Sequence, residues 1–209
     1  MKVIAITNQK GGCGKSTIAL NLAINLSLKG KGVVLFDTDP QQNALGTIQS
    51  RTDDLIPAYS VKSDIHKKIQ SFDHLDYGII DTPPHQSEII RSALVSADLV
   101  IIPIQDSPLD IRSSKETVAL VYKAKAYRPG MQVYFLLNRI QPNTILARGL
   151  RKHLERVYLE VGILKTELHN RVVYKQSLIY GQAVTEFEKR GPATEEINAL
   201  TREIIDILE

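Results

Sequence analysis

Three clusters of residues in this chain have the types and spacing of phosphate chemistry. The first is Asn8-Gln9-Lys10-Gly11-Gly12-Cys13-Gly14-Lys15-Ser16-Thr17, a glycine-rich turn that closes on Gly-Lys-Ser. Glycines let successive backbone N–H groups turn inward around an anion, and the start of a following helix adds its positive dipole end. Lys15 supplies a mobile charge for the terminal phosphates, and Ser16 is placed to ligate Mg²⁺. The bland alternative is a glycine-rich turn with a lysine nearby; the coincidence of strand, Gly-Lys-Ser and helix argues against it. The second cluster, Asp37-Thr38-Asp39-Pro40-Gln41, sets two acids in a loop. In the third, Asp81-Thr82-Pro83-Pro84, an apolar run ends in an acid. An aspartate so placed holds Mg²⁺ through water or through the loop serine.

The segments that must position these clusters follow a simple alternation. Val3-Ile4-Ala5-Ile6 leads into the loop as a short strand, and Thr17 to Lys29 carries Ile18, Ala19, Leu22, Ala23 and Leu26 at helical spacing before Gly30-Lys31-Gly32. Val33 to Phe36, Tyr77 to Ile80, Leu99 to Ile104 and Val133 to Leu137 are continuous apolar runs, as strands buried on both faces of a parallel sheet must be. Helices are predicted over 64–69, 87–96 and 111–126, the last stopped by Pro129-Gly130. The stretch 51–60 reads as a surface connection. The expected fold class is α/β, a single doubly wound and mostly parallel sheet with helices on both faces, in one domain spanning 1–209. In such sheets ligands gather at the carboxyl ends of the strands, where all three clusters lie.

Composition excludes several classes. A chain of 209 residues that is 43% hydrophobic can bury a sizeable core. Its single cysteine rules out an internal disulfide or a four-cysteine metal site, and Cys13, inside the phosphate loop, reads as a small filler. No apolar run approaches membrane-spanning length, and the N-terminus lacks the pattern of a secretory leader, so a cytoplasmic protein is expected.

The loop departs from the general G-x-x-x-x-G-K-[ST] pattern: Gln9 stands in place of the first glycine and a second lysine, Lys10, follows it. Lys-Gly-Gly-x-Gly-Lys-Ser-Thr resembles the deviant Walker A loop of the ParA/MinD family of dimeric P-loop ATPases. Asp-Thr-Asp-Pro-Gln and Asp-Thr-Pro-Pro are similar to that family's second and third motifs. The resemblance implies ATP and Mg²⁺ as cofactors, with Gly11, Gly12, Cys13, Gly14, Lys15, Ser16 and Thr17 cradling the phosphates. It implies Lys10 acting in trans on a partner's nucleotide and Asp39 orienting the attacking water. It further implies Ser16, Asp37 and Asp81 around the metal. Asn138, at the end of a strand, takes a place near the adenine by the same resemblance; as a turn former it has an ordinary alternative. No Asn-Lys-x-Asp guanine motif is present, which favours ATP.

The last third distinguishes between uses of such an ATPase. Residues 147–175 carry seven Lys/Arg against three Glu, against a net charge of +3 for the whole chain. Arg148, Lys152 and Arg156 lie at helical spacing; such a stripe either neutralises DNA phosphates without reading bases or is an ordinary solvated helix face. Resemblance to ParA-type partition ATPases favours DNA and makes Arg171, Lys175, Lys189 and Arg190 the candidate contacts. The terminal segment from Pro192 is an amphipathic helix whose polar face is acidic, with Glu195, Glu196, Glu203 and Asp206. Membrane-surface helices are basic there, so no membrane partner is expected and the helix should pack on the domain. The implied function is a small ParA-type switch: a homodimer with ATP that binds DNA non-specifically, becomes nucleoid-associated, and is released when a ParB-like cargo adaptor stimulates hydrolysis. A MinD-like membrane-cycling ATPase and a metabolic ATP-dependent synthetase on the same fold are the alternatives.

Overall fold

The computed structural model describes residues 1–141 and 144–209, with side chains at all of these except 87, 108 and 109. Among them, seven strands form one sheet: β1 (Lys2–Ile6), β2 (Val33–Asp37), β3 (Ala58–Ser60), β4 (Tyr77–Asp81), β5 (Leu99–Ile104), β6 (Gln132–Ile140) and β7 (Gly162–His169). The spatial order is β3-β2-β4-β1-β5-β6-β7, and every pairing is parallel. The chain winds to one side of β1 through β2, β3 and β4, then to the other through β5, β6 and β7. The loop after β1 therefore stands at the switch point, where open α/β sheets bind ligands.

Helices cover both faces. On one lie α1 (Lys15–Leu28), α2 (Asn43–Gln49), α7 (Val173–Ile179), α8 (Val184–Phe187) and α9 (Pro192–Leu208). On the other lie α3 (Ile65–Gln70), α4 (Ser87–Ser96), α5 (Pro108–Lys125) and α6 (Ile145–Val157). Strand alternation divides the core between them: Ile4 and Ile6 of β1 face the α1 side, while Val3 and Ala5 face the α5 side. The expected doubly wound architecture is thus present, and its sheet is wholly parallel.

Three local readings change. The connection over 51–60 contains the edge strand β3, and α2 forms directly after the Asp-Pro-Gln cluster. Within the basic stretch 147–175, α6 ends at Val157 and β7 begins at Gly162. Arg148, Lys152 and Arg156 therefore sit on a different element from Arg171 and Lys175. Helix α1, whose apolar spacing predicts one buried face, is buried at every residue from Ile18 to Leu26 because α8 and α9 lie over its outer face. Its two buried amides are matched in kind: Asn21 accepts from the Val184 N–H at 2.9 Å, and Asn25 donates to Thr201 Oγ1 at 2.8 Å. Gly30, at φ +81°, ends α1 as its position implies.

The terminal helix α9 buries Ile197, Leu200, Ile204 and Leu208. Its acids serve the sheet edge. Between the pairs Phe135–Ile163 and Leu137–Glu167, β7 has two more residues than β6. In that bulge the N–H groups of Lys165 and Thr166 donate to the Glu203 carboxylate at 2.6 and 2.9 Å, and farther along the His169 N–H donates to Glu196 at 3.2 Å. Carboxylates thus occupy donors on a strand that has no further strand beside it among the described residues.

Candidate nucleotide site

The phosphate loop takes its shape from two glycines with left-handed backbone, Gly12 at φ +74° and Gly14 at φ +96°. A Cβ on Gly14 would lie 2.5 Å from the Asn138 amide nitrogen, so this position requires glycine for space as well as for conformation. Side-chain donors hold the loop's carbonyls. Lys15 Nζ donates to Lys10 O at 3.1 Å, Asn138 Nδ2 to Cys13 O at 2.7 Å and Arg139 Nη1 to Gly12 O at 2.7 Å. The loop's entry is anchored by Asn8, whose amide donates to Pro103 O, and by the Gln9 N–H, which donates to Thr117 Oγ1. Carbonyls held by side chains at Lys10, Gly12 and Cys13 suit a loop whose N–H groups serve an anion.

That groove runs from Gly11 to Thr17 past Asp39, Gln41, Asn43, Pro84 and Arg139. It is continued by a smaller, more enclosed pocket lined by Thr17, Ile18, Asn138, Arg139, Asn170, Arg171, Tyr174 and Lys175. The first has the polarity of a polyphosphate site. The second, between the ends of β6 and β7, has the mixed apolar and amide lining that suits a base and ribose.

The two strand-terminal acids behave differently. Asp37 and Asp81 are register partners at the ends of β2 and β4, and both are fully buried. Asp37 accepts the N–H of Asp39 at 3.0 Å and of Leu45 at 2.9 Å, tying the acidic loop to the start of α2. Burial pushes its carboxyl up, against the pull of those two donors. Among the described residues, neither oxygen of Asp81 has a hydrogen-bond partner. Burial raises it to about 7; the neighbouring Ser16 hydroxyl and Lys15 ammonium oppose the shift, and Asp37 adds to it. An unpaired buried carboxylate beside a serine and a lysine fits a divalent cation, which would restore the charge form that burial disfavours. Ser16 and Asp81 could therefore hold Mg²⁺, which would neutralise the phosphates of a bound nucleotide.

Asp39 lines the phosphate groove half-exposed, and its carboxylate accepts the Gln41 N–H at 2.9 Å. Lys10 does not point into the groove of its own chain: its ammonium pairs with the buried Asp110 at 2.7 Å, near the start of α5. Cys13 is buried, and burial pushes its thiol up, as suits a filler. Of the four basic candidates, Arg171 is engaged with Glu196 at 2.8 Å, in a cluster with His169 and Tyr174. Lys175, Lys189 and Arg190 are exposed.

Sequence reasoning missed Arg139 and Asp110. A cation directly after Asn138 at a strand's carboxyl end was a readable signal; nothing local marks Asp110, whose significance is a contact 100 residues away.

The comparisons with known proteins agree with this geometry. Residues 4–191 match the family model of the CobQ/CobB/MinD/ParA nucleotide binding domain. The maintenance of carboxysome distribution protein A of Halothiobacillus neapolitanus is 31% identical over 210 residues, covering 97% of this chain and 95% of that protein. Among solved structures, the ATP complex of a Cyanothece McdA variant superposes with a TM-score of 0.75 at 19% identity, covering 98% of this chain and 96% of that one. MinD of Pyrococcus horikoshii with Mg-ADP gives 0.76 at 18% identity, covering 97% and 95%. The chain belongs to the CobQ/CobB/MinD/ParA nucleotide-binding family and is a P-loop ATPase of the ParA/MinD type.

Proposed function

We propose that this ATPase is a ParA-type positioning switch that dimerises with ATP, binds DNA without sequence preference and is released by partner-stimulated hydrolysis. The observation that carries the reading is the placement of its exposed cations. Lys175 is exposed and also borders the base end of the nucleotide groove. The exposed Lys189 and Arg190 follow Phe187, whose ring stacks on Tyr180 at 5.6 Å and so joins the ends of α7 and α8 at one corner. A basic corner touching the nucleotide groove can change its presentation with the nucleotide's state, and its affinity for phosphates falls steeply with salt. Arg171 belongs to the Glu196 cluster in this reading and contributes structure more than free charge. The similarity to a carboxysome-distribution protein over nearly the whole chain supports a positioning role.

In the catalytic cycle we assign, Gly11 to Thr17 cradle the phosphates and Asn138 serves the base end. Asp39 orients water, Ser16 and Asp81 would hold a divalent cation that neutralises the phosphates, and Asp37 fixes the acidic loop beside them. Lys10 leaves Asp110 to reach the partner's nucleotide in the dimer, where a second cation stabilises charge on the transferring phosphoryl group. A ParB-like adaptor, tied to a plasmid, chromosome or protein organelle, supplies the stimulus.

The test is binding to random-sequence duplex DNA without nucleotide, with ADP and with ATP, at two salt concentrations. ATP-dependent, salt-sensitive binding that is lost in a Lys175→Ala/Lys189→Ala/Arg190→Ala protein is expected. Absence of DNA binding in every state would overturn the reading, and ATP-dependent capture by anionic liposomes would replace it with the membrane-cycling one.

A further inference from the structure

We propose that Arg139 is a nucleotide-contacting residue that grips the α-phosphate of the bound nucleotide from within its own chain. The inference starts from a break in the sheet. Asn138 pairs with Leu168 and Ile140 with His169, which leaves Arg139 as an extra residue with no partner on β7. Its backbone is left-handed, φ +55°, a conformation that a branched or long side chain adopts only where the surroundings impose it. On a regular strand, Asn138 and Arg139 would point to opposite faces. The bulge turns both toward the phosphate loop, where they engage the consecutive carbonyls of Cys13 and Gly12, each at 2.7 Å. Bulges next to ligand sites commonly re-aim one side chain in this way.

A guanidinium carries five N–H donors. The bond to Gly12 uses one of them, from Nη1. Arg139 also borders both halves of the site: it lines the phosphate groove with Lys15 and Ser16, and the base pocket with Asn170 and Tyr174. Thr17 is the other residue common to both linings. A nucleotide with its terminal phosphates in one half and its base in the other must pass its α-phosphate between Thr17 and Arg139. A planar cation with donors that engage nothing else among the described residues matches the oxygens of a phosphate diester-like group better than a point charge would.

The α-phosphate is common to ATP and ADP and does not change charge greatly during transfer of the γ-phosphoryl group. Arg139 therefore contributes to binding of both nucleotides and little to the chemical step, which appears as a raised KM at nearly constant kcat. The inference rests on the nucleotide site and is independent of DNA binding, so a failed DNA experiment leaves it standing.

Two variants test it. Arg139→Gly removes the guanidinium and suits the left-handed backbone, whereas Arg139→Lys keeps charge without the planar fork. Thermal melts without nucleotide establish that each is folded, and the Lys variant carries the test if the Gly variant is not. Calorimetric titration with Mg-ATP and Mg-ADP should show both dissociation constants raised by about tenfold in Arg139→Gly and by a smaller factor in Arg139→Lys. An ADP affinity equal to that of the parent protein overturns the assignment, whatever happens to ATP. A fall in kcat at unchanged KM overturns it as well, because the residue would then act on the transition state.

Discussion

The ends of β2 and β4 offer the same residue at the same register and depth, yet Asp37 and Asp81 do opposite things. Asp37 spends both oxygens on backbone N–H groups of its own loop and of α2. Asp81 spends neither, although it is equally buried. A protein tolerates an unsatisfied buried carboxylate only where something else completes it, since such a group carries its full desolvation cost. The difference separates an acid built into the fold from an acid held ready for a ligand, and it does so without reference to any motif.

The sharpest way to break this comparison is to exchange the chemistry of Asp81 alone. Asp81→Asn should lower ATP turnover on the order of a hundredfold, as loss of a charge-stabilising group does, when phosphate release is followed at saturating Mg²⁺. The nucleotide-free protein should at the same time melt higher than the parent at pH 8. A lower melting point there would mean that Asp81 is structural after all. Asp37→Ala should do the reverse and cost stability, about 2–4 kcal/mol by denaturant titration, because the buried Leu45 N–H and the half-buried Asp39 N–H lose their acceptor. A loss below about 1 kcal/mol would remove the distinction.

The titration of Asp81 sharpens the comparison further. Its carboxyl is raised from 3.8 to about 7 in the folded chain. Below pH 3.8 both states hold the proton, so no difference arises. Between those values the folded state keeps a proton that the unfolded state has released, and stability therefore falls as pH rises through the window. In the chelated, nucleotide-free protein this decline from about pH 4 to pH 7 should be visible in melting curves, and Asp81→Asn should flatten it. The smallest effect belongs to the other buried acid near the site. If the chain dimerises with ATP as proposed, Asp110→Asn weakens the hold on Lys10 and should lower the protein concentration needed for that dimerisation by about threefold, on the order of half a kcal/mol. Sedimentation at graded concentrations would detect it, and an unchanged midpoint would mean that the ion pair does not restrain Lys10.

What could be read from the sequence follows the same division. Strands buried on both faces appear as unbroken apolar runs, and the chemistry sits at their ends, so β1, β2, β4, β5 and the phosphate loop are legible one after another. The edge of the sheet is not. Strand β3 is three residues, Ala58 to Ser60, with no fully buried member. In β7 only Leu164 and Leu168 are buried, and its Lys165 and Glu167 look like one more turn of the basic helix before it. The charges near the site are legible as types but not as pairs: Arg171, in the connection after β7, reads as a free cation until Glu196 of α9 is brought beside it. Lys10 and Asp110, or Arg139 and Gly12, meet only through the fold.

The carboxylates of α9 along β7 bear on the order in which the chain is made. Strand β7 leaves the ribosome before the helix that covers it, and through that interval its bulged donors at Lys165 and Thr166 stand open to any passing strand. Protection arrives with Glu196 and Glu203, side chains that are themselves useless for pairing with a second sheet. A nascent chain stalled before α9 thus leaves these donors open, and completing the helix covers them with carboxylates, with no further strand among the described residues.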